Sequence, residues 1–328
     1  MLAFASYGFY QAKLDEPLTV PETGLVLEIS KGDTLNKVLR GFVSSGLLES
    51  EWVSKVYAKH QKLTGSIKVG EFLLESGATI PVLFELITSN RQIQYQIQFI
   101  EGSTYKQLKA VLDAEVQLSH SLKDKSMAEV LQALKLSGDV KHVEGQFYPD
   151  TYAFHKGDSD ISILKRAHSR LQSILKKEWK ARAKDLPLKD AYEALILASI
   201  VEKETGAAHE RNEIAGVFIR RLEKKMRLQT DPTVIYGLGE RYQGNIKRKH
   251  LKEMTPYNTY RIKGLPPTPI AIVGQSAIHA ALHPDNGKSL YFVAKGDGTH
   301  QFSESIRAHN NAVRKFQLKR RAGYRSTQ

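Results

Sequence analysis

Residues 191–206 read Ala191-Tyr-Glu-Ala-Leu-Ile-Leu-Ala-Ser-Ile-Val-Glu-Lys-Glu-Thr-Gly206, an apolar run that ends in two carboxylates. Because an α-helix turns about 100° per residue, Leu197, Ile200 and Val201 fall on one side of this run. The stretch therefore predicts a buried helix, around which the rest of the chain is organised.

Two glutamates lie at the end of this predicted helix. The helical phase puts Glu204 in the middle of the apolar face, and puts Glu202 and Ser199 on the opposite, solvent side. A carboxyl group held against apolar neighbours loses hydration of its charged form, so its pKa rises and it can serve as a general acid. The alternative is a frayed helix end before Gly206 with no chemical role, since carboxylates are common there.

The composition limits the classes of protein to consider. The 328 residues leave room for two domains or three small ones, and 41% hydrophobic with 25% charged residues is typical of a globular protein. A net charge of +13 indicates anionic surroundings such as nucleic acid, a membrane surface or an acidic polymer. The basic residues are dispersed without an aromatic-basic motif, which argues against nucleic acid. The absence of cysteine excludes disulfides, thiol nucleophiles and Cys-ligated zinc.

The first residues are apolar and carry no charge until Lys13. This segment is shorter than the ~20 residues that span a bilayer, and it lacks the basic leader of a signal peptide. We interpret residues 1–20 as the truncated end of an N-terminal membrane anchor or as a linker. A packed or frayed N-terminal segment is the alternative.

Residues 21–95 alternate between strand and helix patterns. The Leu25–Ile29 stretch alternates as a strand does, and a helical pattern follows from Leu35. The Gly-Asp-Thr-Leu turn between them resembles a LysM module, a small glycan-binding fold, although Asp33 and Thr34 are also ordinary helix N-caps. We therefore predict a small LysM-like α/β domain over 21–95.

The remainder is predicted to be mainly helical. Residues 96–141 read as a strand plus a helical connector, and residues 142–328 as a helical domain with a short β-hairpin around Gly296-Asp-Gly298. A dense aromatic turn at 144–152 suits either stacking on sugar rings or closing the top of a core. The fold class expected for the whole chain is α+β.

The sequence does not support a metal-dependent, a phosphate-binding or a serine-nucleophile mechanism. His279 and His283 have a metal-compatible i, i+4 spacing, but the glutamate of the zinc-protease motif is absent and Pro284 ends the helix at once. There is no phosphate-binding glycine loop and no Gly-x-Ser-x-Gly elbow. We therefore predict no metal and no cofactor, and carboxylate chemistry remains.

Glycosidases generally use two carboxylates, one as the acid and the other as base or nucleophile. Glu202 and Glu204 are two residues apart on a predicted helix and point to opposite sides, so they cannot converge on one bond. Asp231 is a conceivable second carboxylate. An enzyme with only one would need the substrate to supply the nucleophile, with the same glutamate acting first as acid and then as base.

Several motifs occur in a fixed order, and the resemblance that they carry covers nearly the whole chain. They are Ala198-Ser-Ile-Val-Glu-Lys-Glu-Thr205, Arg227-Leu-Gln-Thr-Asp-Pro-Thr-Val-Ile-Tyr-Gly237, Tyr257-Asn-Thr-Tyr260, Gly264-Leu-Pro-Pro267, Leu290-Tyr-Phe-Val293 and His309-Asn310. This set resembles the MltG-type (YceG-like) endolytic murein transglycosylases. The resemblance implies a LysM-like domain joined to a lysozyme-like catalytic domain, with Glu204-Thr205 here in place of Glu-Ser.

The resemblance also implies a reaction. The catalytic residue would be Glu204, which would cleave the β-1,4 bond between N-acetylmuramic acid (MurNAc) and N-acetylglucosamine (GlcNAc) without water and close a 1,6-anhydro ring. Glu202 is kept as a secondary candidate. The positions expected to contact the glycan are Thr205, Gln229, Thr230, Asp231, Tyr257, Asn258 and Tyr260.

Members of this family are single-pass inner-membrane proteins that face the cell wall and end growing glycan strands beside the synthases. The expected partners are therefore peptidoglycan glycan strands, peptidoglycan synthases (penicillin-binding proteins) and, through an anchor largely absent here, the membrane; nucleic acid is not expected. Two alternatives stay open: a lysozyme-like hydrolase that uses Asp231, and a non-catalytic glycan-binding scaffold.

Overall fold

A computed structural model describes residues 2–136, 140 and 142–318. Those residues form a mixed, mostly helical structure with three small two-stranded sheets, which confirms the predicted α+β class. The helices are α1 (Leu2–Asp15), α2 (Leu35–Ser44), α3 (Glu51–His60), α4 (Ile80–Thr88), α5 (Tyr105–Ala114), α6 (Met127–Leu134), α7 (Asp160–Ala181), α8 (Ala191–Glu204), α9 (Arg211–Glu223), α10 (Asp231–Leu238), α11 (Arg248–Lys252), α12 (Gln275–Leu282) and α13 (Ile306–Val313). The strands are β1 (Leu25–Ile29), β2 (Gly70–Leu74), β3 (Tyr95–Gln98), β4 (Thr151–Phe154), β5 (Tyr291–Ala294) and β6 (His300–Ser303).

The strands pair as β1 with β2, β3 with β4 and β5 with β6. By its internal contacts the chain divides into two compact units. The first unit comprises 1–96, 116–119 and 153–159, and the second unit comprises 97–115, 120–152 and 160–328. The domain limits predicted from the sequence stay predictions, and residues 141 and 319–328 lie outside the described residues.

The first unit is built on the antiparallel pair β1 and β2, with Leu25 opposite Leu74 and Ile29 opposite Gly70. The alternation seen in the sequence is confirmed, because Leu27 and Ile29 are buried. Helix α2 then begins at a threonine N-cap. The core that these elements share contains Leu39, Phe42, Phe72, Leu74, Leu83, Phe84 and Ile87.

The sequence pattern predicts a helix over 51–63 and a strand over 66–74, and both elements are shorter in the structure. Helix α3 ends at His60, and β2 begins at Gly70. Gly70 has φ +142, and a side chain there would meet Gln92, which explains a glycine at the start of the strand. No helix within the described residues combines the length and apolarity needed to cross a membrane.

Helix α8 forms the centre of the second unit. The carboxylate of Asp190 caps its start by accepting a hydrogen bond from the Glu193 N–H at 2.8 Å. Helices α7, α9, α10 and α12 pack around it, and residues 194–201 are all buried. Ser199, predicted on a solvent side, is wholly buried; its hydroxyl donates to Ile196 O and accepts from Ile270 N.

In the rest of the second unit, some of the secondary structure predicted from the sequence is confirmed and some is not. The hairpin is confirmed, with Tyr291 opposite Ser303. The predicted connector is broken into α5 and α6, and β4 begins within the last two residues of the turn predicted over 144–152. Phe147 and Tyr152 of that turn are buried, which supports the core interpretation of its aromatic residues.

Candidate active site

Glu204 is the last residue of α8 and remains partly exposed. Its Oε1 accepts a hydrogen bond from the Thr230 hydroxyl. Burial raises the pKa of the Glu204 carboxyl to about 7, in agreement with the prediction from helical phase. The Thr230 hydrogen bond and the positive charge of Arg221 act in the opposite direction, whereas the negative charge of Asp231 adds to the rise.

The segment before α10 brings Thr230 to Glu204. Thr230 occupies the N-cap position, but its side chain caps no backbone N–H and reaches Glu204 instead. Its backbone is fixed by the adjacent loop, because the Thr230 N–H donates to Thr259 Oγ1 at 3.1 Å. The Thr233 hydroxyl donates to Thr230 O at 2.8 Å. Thr230, Thr233 and Thr259 are all buried, so this network fixes the direction of the hydrogen bond to Glu204.

Gln229 is held in an unusual backbone conformation beside this network. Its φ is +51, a left-handed value that residues with a Cβ adopt rarely. The Gln229 N–H donates to Thr259 O at 3.2 Å, and the residue is exposed. The strained backbone therefore presents an exposed amide side chain next to Thr230, in keeping with the predicted substrate contact.

Asp231 and Tyr260 form a pair at the same place. The Tyr260 hydroxyl donates to Asp231 Oδ1 at 2.7 Å. Burial raises the pKa of Tyr260, and the charge of Asp231 and the hydrogen bond to it raise that pKa further, so the phenol keeps its proton. The second carboxylate of the region is therefore already engaged as a hydrogen-bond acceptor.

A buried cation, Arg221 of α9, completes the group. Its guanidinium donates to Leu290 O and Leu228 O, both at 2.7 Å, and lies 5.1 Å from the ring centre of Tyr291. Burial lowers the pKa of Arg221, and the nearby Glu204 and tyrosine side chains oppose that change. Arg221 contributes positive charge to the Glu204 region while backbone carbonyls accept hydrogen bonds from its Nε and Nη1.

Two residues predicted to contact the glycan, Asn258 and Thr205, are instead buried and hydrogen-bonded within the protein. Asn258 is buried; its amide donates to the carbonyls of His250, Leu251 and Glu253, and its Oδ1 accepts from Tyr260 N at 3.0 Å. It shapes the 250–260 loop and has no amide hydrogen left for a ligand. Thr205 is also buried and accepts from Ala207 N, which closes the turn after α8.

Tyr257 is half-buried, and its ring centre lies 4.8 Å from that of Tyr236. Its hydroxyl lies 2.8 Å from Thr268 Oγ1. These contacts fix the Tyr257 ring on the wall of the second unit while leaving part of it exposed.

The predicted position of Glu202 on a solvent-exposed side of α8 was wrong, whereas its place as a secondary catalytic candidate stays a prediction. Its side chain is only 5% exposed; Oε1 pairs with Arg211 Nη2 at 3.0 Å, and Oε2 accepts from Gly274 N at 3.0 Å. Both oxygens are occupied, and Gly274 is the N-cap of α12. Because helices surround α8 on all sides, the face opposite Glu204 is an interior face. Glu202 joins α8 to α9 and α12.

The sequence interpretation missed Arg221 and Thr259. Arg221 follows Phe218 by three residues and Ile214 by seven, so helical phase alone puts it on the inward face of α9. Its charge suggested an exposed position. The role of Thr259 depends on a backbone contact 29 residues away, for which the sequence carries no local signal.

The geometry thus combines one partly exposed glutamate of raised pKa, a hydroxyl that orients it and a second carboxylate engaged by a tyrosine. Such an arrangement can donate a proton near neutral pH and later take one back. Within the part of the chain that is described, the one group of three residues able to hold a metal ion does not include Glu204.

The fold and this site define a mostly helical α+β protein with a partly exposed glutamate of raised pKa at the end of a buried helix. The chain belongs to the YceG-like family, whose model matches residues 27–315, and this confirms the resemblance seen in the sequence motifs.

The chain is also similar to named relatives and to a solved structure. An endolytic murein transglycosylase of Bacillus subtilis is 30% identical over 94% of this chain and 89% of its own length. An endolytic murein transglycosylase of Streptococcus pneumoniae is 25% identical over 90% of this chain, which spans 59% of that relative. The crystal structure of a YceG-like protein from Listeria monocytogenes shares 27% identity with a TM-score of 0.53, and the match covers 89% of this chain and 99% of that one.

Proposed function

We propose that this protein is an endolytic lytic transglycosylase that cleaves the MurNAc-β-1,4-GlcNAc bond of nascent peptidoglycan and leaves 1,6-anhydro-MurNAc ends. The observation that carries the proposal is Glu204, whose carboxyl has a pKa of about 7, is partly exposed and is oriented by Thr230. Relatives named endolytic murein transglycosylases support the class of substrate.

In the first step Glu204 acts as the general acid. Its proton passes to the oxygen that bridges the two sugars, the bond from this oxygen to C1 of MurNAc breaks, and the GlcNAc side leaves as an alcohol. A carboxyl with its ordinary pKa would have lost this proton at neutral pH, whereas the raised pKa of Glu204 keeps a useful fraction protonated.

In the second step the same residue acts as the base. The Glu204 carboxylate takes the proton from the C6 hydroxyl of MurNAc, and that oxygen bonds to C1 to close the anhydro ring. The proton donated in the first step is thus recovered, and no water is consumed. Thr230 stabilises the carboxylate between the steps by donating its hydroxyl hydrogen.

The position of Asp231 favours this reaction over hydrolysis. A hydrolase needs a second carboxylate that is free to activate water or to attack C1. Asp231 Oδ1 accepts the Tyr260 hydroxyl hydrogen at 2.7 Å, so part of its acceptor capacity is engaged before substrate arrives. Gln229, Asp231, Tyr257 and Tyr260 keep exposed surface and are proposed to contact the glycan.

We further propose the cellular setting that the family resemblance implies. The protein ends growing glycan strands beside peptidoglycan synthases, from a single-pass anchor in the inner membrane with the catalytic part outside the cytoplasm. The first unit, with its LysM-like turn, would bind the glycan. The charge of +13 suits an acidic polymer and an anionic membrane surface.

The test is product analysis by mass spectrometry after incubation of the purified chain with nascent glycan strands. We expect anhydro-MurNAc ends from the wild type and none from Glu204→Gln. Reducing MurNAc ends, heavier by one water, would instead identify a hydrolase. Unchanged strands with both proteins, together with binding, would identify a scaffold.

A further inference from the structure

A second group of chemically active side chains lies outside the Glu204 site. Glu178 of α7 meets His279 of α12 and His283, the residue that follows α12. Each offers one ligand atom, and the three atoms lie within 4.8 Å of one another. The carboxylate missing from the histidine motif is thus supplied by a helix about a hundred residues earlier in the chain.

The two histidines stay together although Pro284 follows. The His283 N–H donates to His279 O at 2.8 Å, so the last hydrogen bond of α12 ends at His283, which is the C-cap of the helix. The imidazole rings are stacked, with centres 4.2 Å apart and an angle of 24° between planes. Both rings therefore leave the same face of α12, as an i, i+4 metal-binding pair requires.

Glu178 is oriented toward this pair. It is buried; its Oε1 accepts from Gln275 Nε2 at 2.9 Å, and its Oε2 lies 3.0 Å from His279 Nδ1. A ligating carboxylate fixed by a second hydrogen bond is typical of metal sites. The His279 side chain is 52% exposed, so it has room to adjust its rotamer.

We propose that Glu178, His279 and His283 bind a divalent transition metal of the zinc class. Two imidazoles and a carboxylate are ligands that zinc accepts, with bonds of about 2.0–2.2 Å. In a tetrahedral site such ligand atoms are about 3.3 Å apart, so the most widely separated pair needs to close by at most about 1.5 Å.

Three protein ligands leave one tetrahedral position for water or an external ligand. A surface depression of about 390 Å³ adjoins the site and is lined by Glu178, Arg211, Gln275, Ser276 and His279. The Nε–H of Arg211 is buried there and has no hydrogen-bond partner among the described residues.

The metal would join α7 to α12. A ligand that binds the folded state and not the unfolded state stabilises the fold by mass action. Metal at this site should therefore raise the midpoint of thermal unfolding without any requirement for glycan substrate, and this separates the test from the proposed enzymatic function.

The experiment uses the untagged chain after removal of metal with a chelator. Zinc chloride is titrated by isothermal calorimetry, and thermal unfolding is followed with and without zinc. We expect one equivalent bound and a higher unfolding midpoint. His279→Ala and His283→Ala should each lower the affinity at least 10–100-fold, since even loss of a group that only orients a ligand costs about that much.

Two further variants keep the test clear of misfolding. Glu178→Gln preserves the size of the side chain, and it should still lose affinity and the zinc-dependent rise in the unfolding midpoint. His60→Ala removes an exposed histidine in the first unit and should bind zinc as the wild type does. Absence of binding to the wild type, or equal affinity in the wild type and the Glu178 and His279 variants, would overturn the proposal.

Discussion

Two glutamates of the second unit have the same raised pKa in different surroundings. Burial raises the pKa of both Glu204 and Glu144 to about 7. Glu144 is 3% exposed, and each of its oxygens has a donor: Oε1 accepts from Tyr105 N at 2.8 Å and Oε2 from the Tyr236 hydroxyl at 3.0 Å. Glu204 is partly exposed, and among the described residues only Thr230 donates to it.

The two glutamates show that a raised pKa alone does not make a carboxyl group able to donate its proton to a substrate. Both carboxyls lose hydration, so the pKa value alone does not distinguish them. Glu144 is enclosed by donors from two different helices and acts as a polar link in the core. Glu204 keeps one oxygen without a protein donor and retains access to solvent, so a substrate oxygen can reach it. Access and an unoccupied oxygen, rather than the pKa, identify the candidate acid.

The largest expected effect is on the rate of cleavage. Glu204→Gln removes the transferable proton while keeping the size of the side chain, and it should lower kcat by about 10²–10⁴-fold, the usual contribution of a general acid–base group. Glu144→Gln is the matched control, because it makes the same chemical change at the same pKa, and it should keep most of the activity.

The rates are measured by release of anhydro-muropeptides, with circular dichroism to verify that both variants are folded. A large loss of kcat in Glu144→Gln together with an active Glu204→Gln variant would reverse the assignment of the two residues.

The second expected effect is on stability, and it falls on Glu144. Glu144→Ala leaves the buried Tyr105 N–H and the Tyr236 hydroxyl without their acceptor, and each loss costs about 1–3 kcal/mol. The free energy of unfolding should therefore drop by about 2–6 kcal/mol, measured by urea denaturation. Glu204→Ala leaves only the Thr230 hydroxyl unpaired and should cost less. An equal or larger loss in Glu204→Ala would contradict the view of Glu144 as the structural link.

Local sequence patterns were sufficient for much of this structure. The alternation in β1, the glycine turn between β5 and β6 and the apolar run of α8 each depend on residues close in sequence. Helical phase also identified Glu204, because that residue shares a face with Val201 and Ile200. These features need only local periodicity and turn chemistry.

The failures share a physical cause, which is packing from distant parts of the chain. Ser199 and Glu202 were assigned to solvent because phase cannot show that helices cover every side of α8. The sequence alone suggests that Asn258 lines a cleft, whereas in the structure its amide donates to backbone carbonyls. Glu178 approaches His279 from about a hundred residues away. Contacts of this kind have no signature within a single sequence window.

The smallest expected effect is a shift in the pH profile, and it tests which glutamate controls the rate. A general acid must be protonated, so with a pKa of about 7 for Glu204 the value of kcat/KM should fall as the pH rises above 7. The Thr230 hydroxyl favours the charged carboxylate and so keeps this pKa lower than burial alone would make it. Thr230→Val keeps the shape of the buried side chain but removes the donor. The fall in kcat/KM should then move to higher pH by about one unit, the size expected for one hydrogen bond to a charged group.

Because Glu144 has the same pKa, the pH profile of the wild type cannot tell the two glutamates apart, whereas the variants can. Thr230→Ser retains a hydroxyl and should restore the wild-type midpoint, which separates loss of the donor from a general disturbance of the loop. Glu144→Gln should leave the midpoint where it is. If Glu144→Gln moves the midpoint and Thr230→Val does not, the proton that limits the reaction resides in the core at Glu144, and solvent access would no longer explain why Glu204 is the acid.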